Sequence, residues 1–149
     1  MLLALDTNIL VYAFDHDAGD RHAKAARIVE YALVEADSVF PLQVLSEFSN
    51  VALRKLHWPA GQVHRLLVDW HRLRPVIAPS FEDVEFAVDQ QRREPMDHWD
   101  AVLLATCIRA RVRWLITEDV HEPWRGFGTL YCNPFEPGDA WKMEQAGLA

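Results

Sequence analysis

Cysteine is scarce: Cys107 and Cys132 are the only two in 149 residues. Both lie in apolar runs where small buried thiols are common, so no disulfide scaffold supports this chain and a reducing interior suits it. Long apolar runs are also missing. Nothing approaches the roughly 18–20 uninterrupted residues that cross a bilayer, and no basic segment precedes a short apolar run at the N-terminus. The expectation is a soluble, unexported, cytoplasmic protein without a membrane partner. Positive charge is in deficit, with 15 Lys and Arg against 22 Asp and Glu and a formal net charge of −7. That balance weighs against broad, tight binding to nucleic acid through a basic surface. The grouped cations Arg21/Lys24/Arg27, Arg72/Arg74, Arg92/Arg93 and Arg109/Arg111/Arg113 are either local phosphate contacts or solvated helix faces. The seven histidines form no HExxH or paired His/Cys pattern, which removes support for zinc catalysis. No repeat, low-complexity tract or linker interrupts the chain. A single domain over 1–149 is expected, with a core over roughly 1–135 and a tail over 136–149.

Half of the residues are hydrophobic, and they are grouped. Short apolar runs at Leu2 to Leu5, Ser38 to Phe40, Pro75 to Ala78, Trp114 to Thr117 and Thr129 to Cys132 read as buried strands. Between them, helical spacing runs over Arg21 to Ala36, Leu42 to Leu56, Pro59 to Leu73, Phe81 to Arg93 and Asp97 to Arg111. Asp6-Thr7-Asn8 reads as the polar loop closing the first strand. Ser80 fits an N-cap with Asp83 three residues on, and Pro59 an early helical position. The stretch after Pro134 reads as irregular chain followed by a marginal segment. Strands alternating with helices predict an α/β sandwich on a largely parallel sheet.

In open parallel sheets, ligands collect beyond the carboxyl ends of the strands, so acids placed there carry the most information. Asp6 ends the first apolar run, and Asp119 follows Trp114 to Thr117 closely. Glu47 lies in the helix after the second strand, between Leu45 and Phe48; Asp100 lies in the first turn of the helix from Asp97, ahead of Ala101 to Ala105. Carboxylates within such apolar sequence need a partner, a proton or a metal. Gathered at one edge they repel one another, and a hard divalent cation relieves the repulsion. Oxygen-only ligands favour Mg²⁺ or Mn²⁺. His98 and His121 are the histidines nearest this edge in sequence, and neither is assigned a direct role.

Leu5-Asp6-Thr7-Asn8-Ile9-Leu10, Leu45-Ser46-Glu47-Phe48, Trp99-Asp100-Ala101-Val102-Leu103-Leu104-Ala105 and Thr117-Glu118-Asp119 together resemble the ordered signature segments of PIN-domain nucleases. Cys132-Asn133-Pro134-Phe135 is similar to the close of VapC-type toxins, the ribonucleases of type II toxin–antitoxin pairs. The resemblance implies a PIN-like three-layer sandwich with about five mainly parallel strands, and endonucleolytic hydrolysis of RNA with Mg²⁺ or Mn²⁺. It makes Asp6, Glu47 and Asp100 the core metal ligands and Asp119 a fourth catalytic acid that joins the metal set through water or a second cation. Thr7, Asn8 and Thr117 become supporting hydrogen bonders. Asp97 is assigned to helix capping ahead of metal contact. A cognate antitoxin with a basic segment and a homodimer are implied partners, the apolar face of Gln62 to Leu73 being a candidate dimer surface. A PIN nuclease of RNA processing and a non-catalytic PIN-like binding module are the alternatives.

A phosphatase or dehalogenase would carry a second aspartate where Asn8 stands, and a receiver domain would begin with adjacent acids; neither pattern is met. Trp58, Trp70, Trp99, Trp124 and Phe127 are able to stack bases, although most belong to a core or interface. The loop Trp124-Arg125-Gly126-Phe127-Gly128, basic and close after Asp119, is the one singled out for substrate contact.

Overall fold

Each apolar run becomes a strand of one sheet. A computed structural model describes residues 1–149: β1 (Leu3–Leu5), β2 (Ser38–Pro41), β3 (Val76–Ile77), β4 (Trp114–Ile116) and β5 (Leu130–Cys132) are ordered β3-β2-β1-β4-β5. Every neighbouring pair is parallel, with Leu5 opposite Ile116 and Ala4 opposite Val39. The parallel, α/β expectation is met. β1 is central and wholly buried, as a strand covered on both faces must be.

Seven α-helices accompany the sheet: α1 (Thr7–Phe14), α2 (Asp20–Val34), α3 (Leu42–Arg54), α4 (Ala60–Leu73), α5 (Phe81–Gln90), α6 (His98–Arg109) and α7 (Ala140–Ala146). Helices α1 to α4 contact one another, while α5 and α6 form a separate pair. Right-handed crossovers place the first group on one face of the sheet and the second on the other, because the chain reverses direction across the sheet after β3. The result is a three-layer α/β sandwich. Its aromatic centre on one side joins Phe40, stacked on Trp70 at 5.3 Å, to Phe14, Phe48 and Trp58.

Local signals set several boundaries. Ser80 and Asp83 form a reciprocal capping box at α5: Ser80 Oγ accepts from Asp83 N at 3.2 Å, and Asp83 Oδ2 accepts from Ser80 N at 2.9 Å. Both cysteines are buried and unpaired. No helix is long and apolar enough to cross a membrane.

The structure departs from expectation in four places. Thr7 and Asn8 do not belong to a loop but open α1; its sequence TNILVYAF is apolar nearly all round and eight residues long, so no 3.6-residue period marks it. Pro59 caps α4 rather than entering it. Phe135 is followed by a 3-10 turn at Pro137–Asp139 and then α7, whose Met143 and Ala146 join the buried core. Gly147 ends α7 at φ 75°, and a Cβ there would meet the Tyr31 hydroxyl at 2.8 Å, so the position favours glycine. Finally, the apolar face of α4 is spent internally: Val63 and Trp70 are buried, with Leu66 and Leu67 packed against the core.

Candidate active site

The sheet order reverses between β1 and β4, and the crevice beyond their carboxyl ends is where such folds place a ligand. Asp6 sits at the tip of β1, its amide still in the ladder through a 2.9 Å bond to Ile116 O. It also N-caps α1. Asp6 Oδ1 accepts from Thr7 N at 2.7 Å, and Oδ2 accepts from Thr117 Oγ1 at 2.7 Å. Burial raises the Asp6 pKa; the bonds from Thr117 and Thr7 pull it down, and the charges of Asp100 and Glu47 push it up, leaving it above the ordinary aspartate value.

Thr117 ties together the ends of both central strands. Besides donating to Asp6, its hydroxyl accepts from Asn8 Nδ2 at 3.1 Å and from Asp119 N at 3.0 Å. Asn8 Nδ2 also reaches Asp119 Oδ2 at 3.4 Å, while its Oδ1 accepts from Glu118 N at 3.2 Å. The side chains expected to support the acids are thus hydrogen-bonded to them.

Glu47 projects from α3 toward the same crevice, its Oε2 accepting from Thr7 Oγ1 at 2.8 Å and its Oε1 from Gln43 Nε2 at 3.1 Å. It is exposed, contrary to the expectation drawn from its apolar neighbours. Leu45 and Phe48 turn into the core while the helical period turns Glu47 out. Asp100, in the first turn of α6, has Oδ2 at 2.8 Å from His121 Nε2. Burial raises the Asp100 pKa, His121 lowers it and Asp97 and Asp119 raise it, with an upward net shift. Asp97 is the N-cap of α6, accepting from Trp99 N at 3.0 Å and Asp100 N at 3.4 Å.

No three His, Cys, Asp or Glu side chains form a ready-made cation cage. The donor set nevertheless suits a hard divalent ion. Asp6, Glu47, Asp100 and Asp119 offer oxygen alone, and a hydrogen bond to a carboxylate oxygen orients it while leaving a second lone pair free. Burial first, and the neighbouring carboxylates after it, hold Asp6 and Asp100 upward, and a bound cation would offset both.

Three partners were not assigned from sequence. His121 was noted only as near; its bond to Asp100 spans 21 residues and has no local signal. Gln43 stands four residues before Glu47, a helical pairing distance that would have found it. Glu118 is held by the Tyr12 hydroxyl and by Arg21 Nη2 at 2.6 Å, so this acid at the same edge is bound to the protein itself. Of the cation groups, Arg21 is thereby committed, as are Arg109 to Asp83 and Ala78 O, and Arg113 to Gly128 O. In the loop after Asp119, Trp124 is 2% exposed and Phe127 38%, and both stand edge-on to Phe86 of α5, so Trp124 anchors the loop to that helix while Arg125 and Phe127 stay at the surface.

A toxin–antitoxin complex from Klebsiella pneumoniae superposes with a TM-score of 0.63 at 25% identity, covering 90% of this chain and 98% of that one. The sarcin–ricin-loop-cleaving toxin VapC20 of Mycobacterium tuberculosis superposes at 0.60 with 19% identity, covering 76% and 86%. DNA-bound VapBC from Salmonella typhimurium gives 0.60 at 14%, covering 88% and 97%. Among curated protein sequences none matches the chain significantly. A family model for the PIN domain matches residues 3–121, a span that contains Asp6, Glu47, Asp100 and Asp119. With that span matched and the acids at the switch point of a parallel sheet, the chain belongs to the PIN domain family, a family of nucleases that use divalent metal ions.

Proposed function

We propose that the protein is an endoribonuclease dependent on Mg²⁺ or Mn²⁺ and the toxin of a toxin–antitoxin pair. The observation that carries the nuclease is Asp6 at the end of the central strand, linked through Thr7 to Glu47 and through Thr117 to Asp119. The toxin assignment draws on the likeness to the Klebsiella complex and to the VapC folds. In the pair, an antitoxin lays a basic segment against the acids, since a guanidinium satisfies carboxylates bidentately. The toxin itself is a homodimer in this proposal. With α4 packed inward, the exposed Phe81, Val84 and Val88 of α5 replace its face as the candidate surface.

Asp6, Glu47 and Asp100 hold the cation, and Asp119 completes the set. When bound, the cation lowers the pKa of the attacking water and offsets charge on the phosphate. The remaining work belongs to the side chains. Thr117 and Thr7 keep the Asp6 and Glu47 carboxylates aimed, and His121 does so for Asp100. The water oxygen attacks phosphorus, its proton passes to a carboxylate oxygen of Glu47 or Asp119, and the phosphorus–oxygen ester bond breaks, the leaving oxygen taking a proton from solvent.

Purified protein is to be incubated with structured RNA, single-stranded RNA and single-stranded DNA in Mg²⁺, Mn²⁺ or EDTA, beside Asp6→Asn. RNA cutting that needs the metal and disappears in the variant is expected. Undiminished cutting by folded Asp6→Asn, or in EDTA, would sink the assignment.

A further inference from the structure

We infer that the indole of Trp99 is a stacking platform for the base of a nucleotide beside the cut, a substrate-positioning contact that the acids themselves do not supply. The inference rests on the nuclease reading of the acidic site and adds a substrate-positioning residue to it.

Trp99 immediately precedes Asp100 in the first turn of α6, and its side chain is 61% exposed. The other tryptophans do not combine exposure with this position. Trp70, Trp114 and Trp124 are buried, and Trp58 packs edge-on against Phe14. Trp141 is exposed but leans on Trp114, which opens β4 and so lies at the opposite end of the strand from the acids.

The backbone of Trp99 is held on both sides. Its amide donates to Asp97 Oδ1 at 3.0 Å, and its carbonyl accepts from Gln43 Nε2 at 3.0 Å. Because Gln43 Nε2 is also 3.1 Å from Glu47 Oε1, one side chain links the indole's anchor to a site carboxylate. His98 braces the ring at 5.1 Å in a near-perpendicular arrangement. An aromatic ring kept at the surface on an ordered backbone loses little freedom when a base covers it.

Charge makes this contact the one the site most needs. The chain carries a net charge of −7, and Arg21, the cation beside the acid Glu118 at this edge, is already paired to it at 2.6 Å. Stacking asks for no positive charge and accepts any base, but only one whose face is not already covered by duplex neighbours.

The test uses a fluorescein-labelled single-stranded oligoribonucleotide of about ten nucleotides. Binding to wild type, Trp99→Ala and Trp99→Phe is measured by anisotropy with Ca²⁺ present, and cleavage with Mn²⁺. Trp99→Ala is expected to raise Kd roughly 5- to 100-fold, with the loss in cleavage falling mainly in KM, and Trp99→Phe to restore most of it. Replacing the nucleotide beside the cut by an abasic one should cause the same loss in wild type and little more in Trp99→Ala. A duplex of the same sequence should bind equally weakly to both. Kd and KM within about twofold of wild type for Trp99→Ala overturn the platform, while metal-dependent cutting lost in Asp6→Asn leaves the nuclease standing. Binding that depends on Trp99 without any cutting keeps the platform and overturns the nuclease. Neither binding nor cutting by the wild type overturns both.

Discussion

The Thr117 hydroxyl donates to Asp6 Oδ2 at 2.7 Å while accepting from Asn8 Nδ2 and Asp119 N, so one buried hydroxyl sets the ends of both central strands. Thr117→Val keeps the shape and removes that junction. Divalent-ion affinity should fall about 10- to 100-fold, as it does when a ligand loses its orienting partner. The accompanying loss of stability is about 1–2 kcal/mol. Titration calorimetry with Mn²⁺ and urea melts read the two effects separately, and Thr117→Ser should recover the first.

Asp6 charges against its surroundings, since its folded pKa is raised. Below about pH 4, the ordinary aspartate value, it is protonated whether the chain is folded or not and carries no penalty. As pH rises through the higher folded value, the penalty develops and stability is lost. In EDTA, the stability of Asp6→Asn relative to wild type should therefore increase between about pH 4 and pH 7, whatever the offset from altered hydrogen bonds. Urea melts at both ends of the range check the slope; a flat or falling difference counts against the coupling.

Asp83 has the opposite sign. Burial raises it, but Arg109, the Ser80 amide and Thr106 outweigh burial and hold it below the ordinary value. Its contribution is present above about pH 4 and is lost as pH falls through the lower folded pKa. The carboxylate is only 4% exposed, whereas Arg109 is half in solvent. Asp83→Asn should thus cost about 2 kcal/mol at neutral pH, below the range for a fully buried pair. It should also flatten the acid limb of the stability curve, measured by thermal melts across pH.

Thiol chemistry should be silent in the folded protein. Burial pushes the Cys107 thiol far up and the Cys132 thiol to about 11, and neither is accessible. A chromogenic disulfide reagent should leave both unmodified in native buffer and titrate both in denaturant. Rapid native labelling of either would contradict the packing of α6 or β5.

The amino-acid order alone determined what depends on near neighbours. Apolar runs located the five strands, Ser80 and Asp83 marked the start of α5, and the position of Asp6 at the end of the first run placed it at the sheet edge. These follow from periodicity and capping, which act over a few residues. Helix α1 escaped because a short, uniformly apolar segment has no period to detect. Tertiary structure decided the rest: His121 on Asp100, Gln43 bridging Glu47 and Trp99, Arg21 paired with Glu118 and Arg109 with Asp83, Trp124 buried and Trp99 left in solvent. Each of these is a choice of partner among groups far apart in the chain or a choice of helix face. Only the packing of α1, α3, α6 and the β4–β5 loop around the sheet edge brings the alternatives together and selects one.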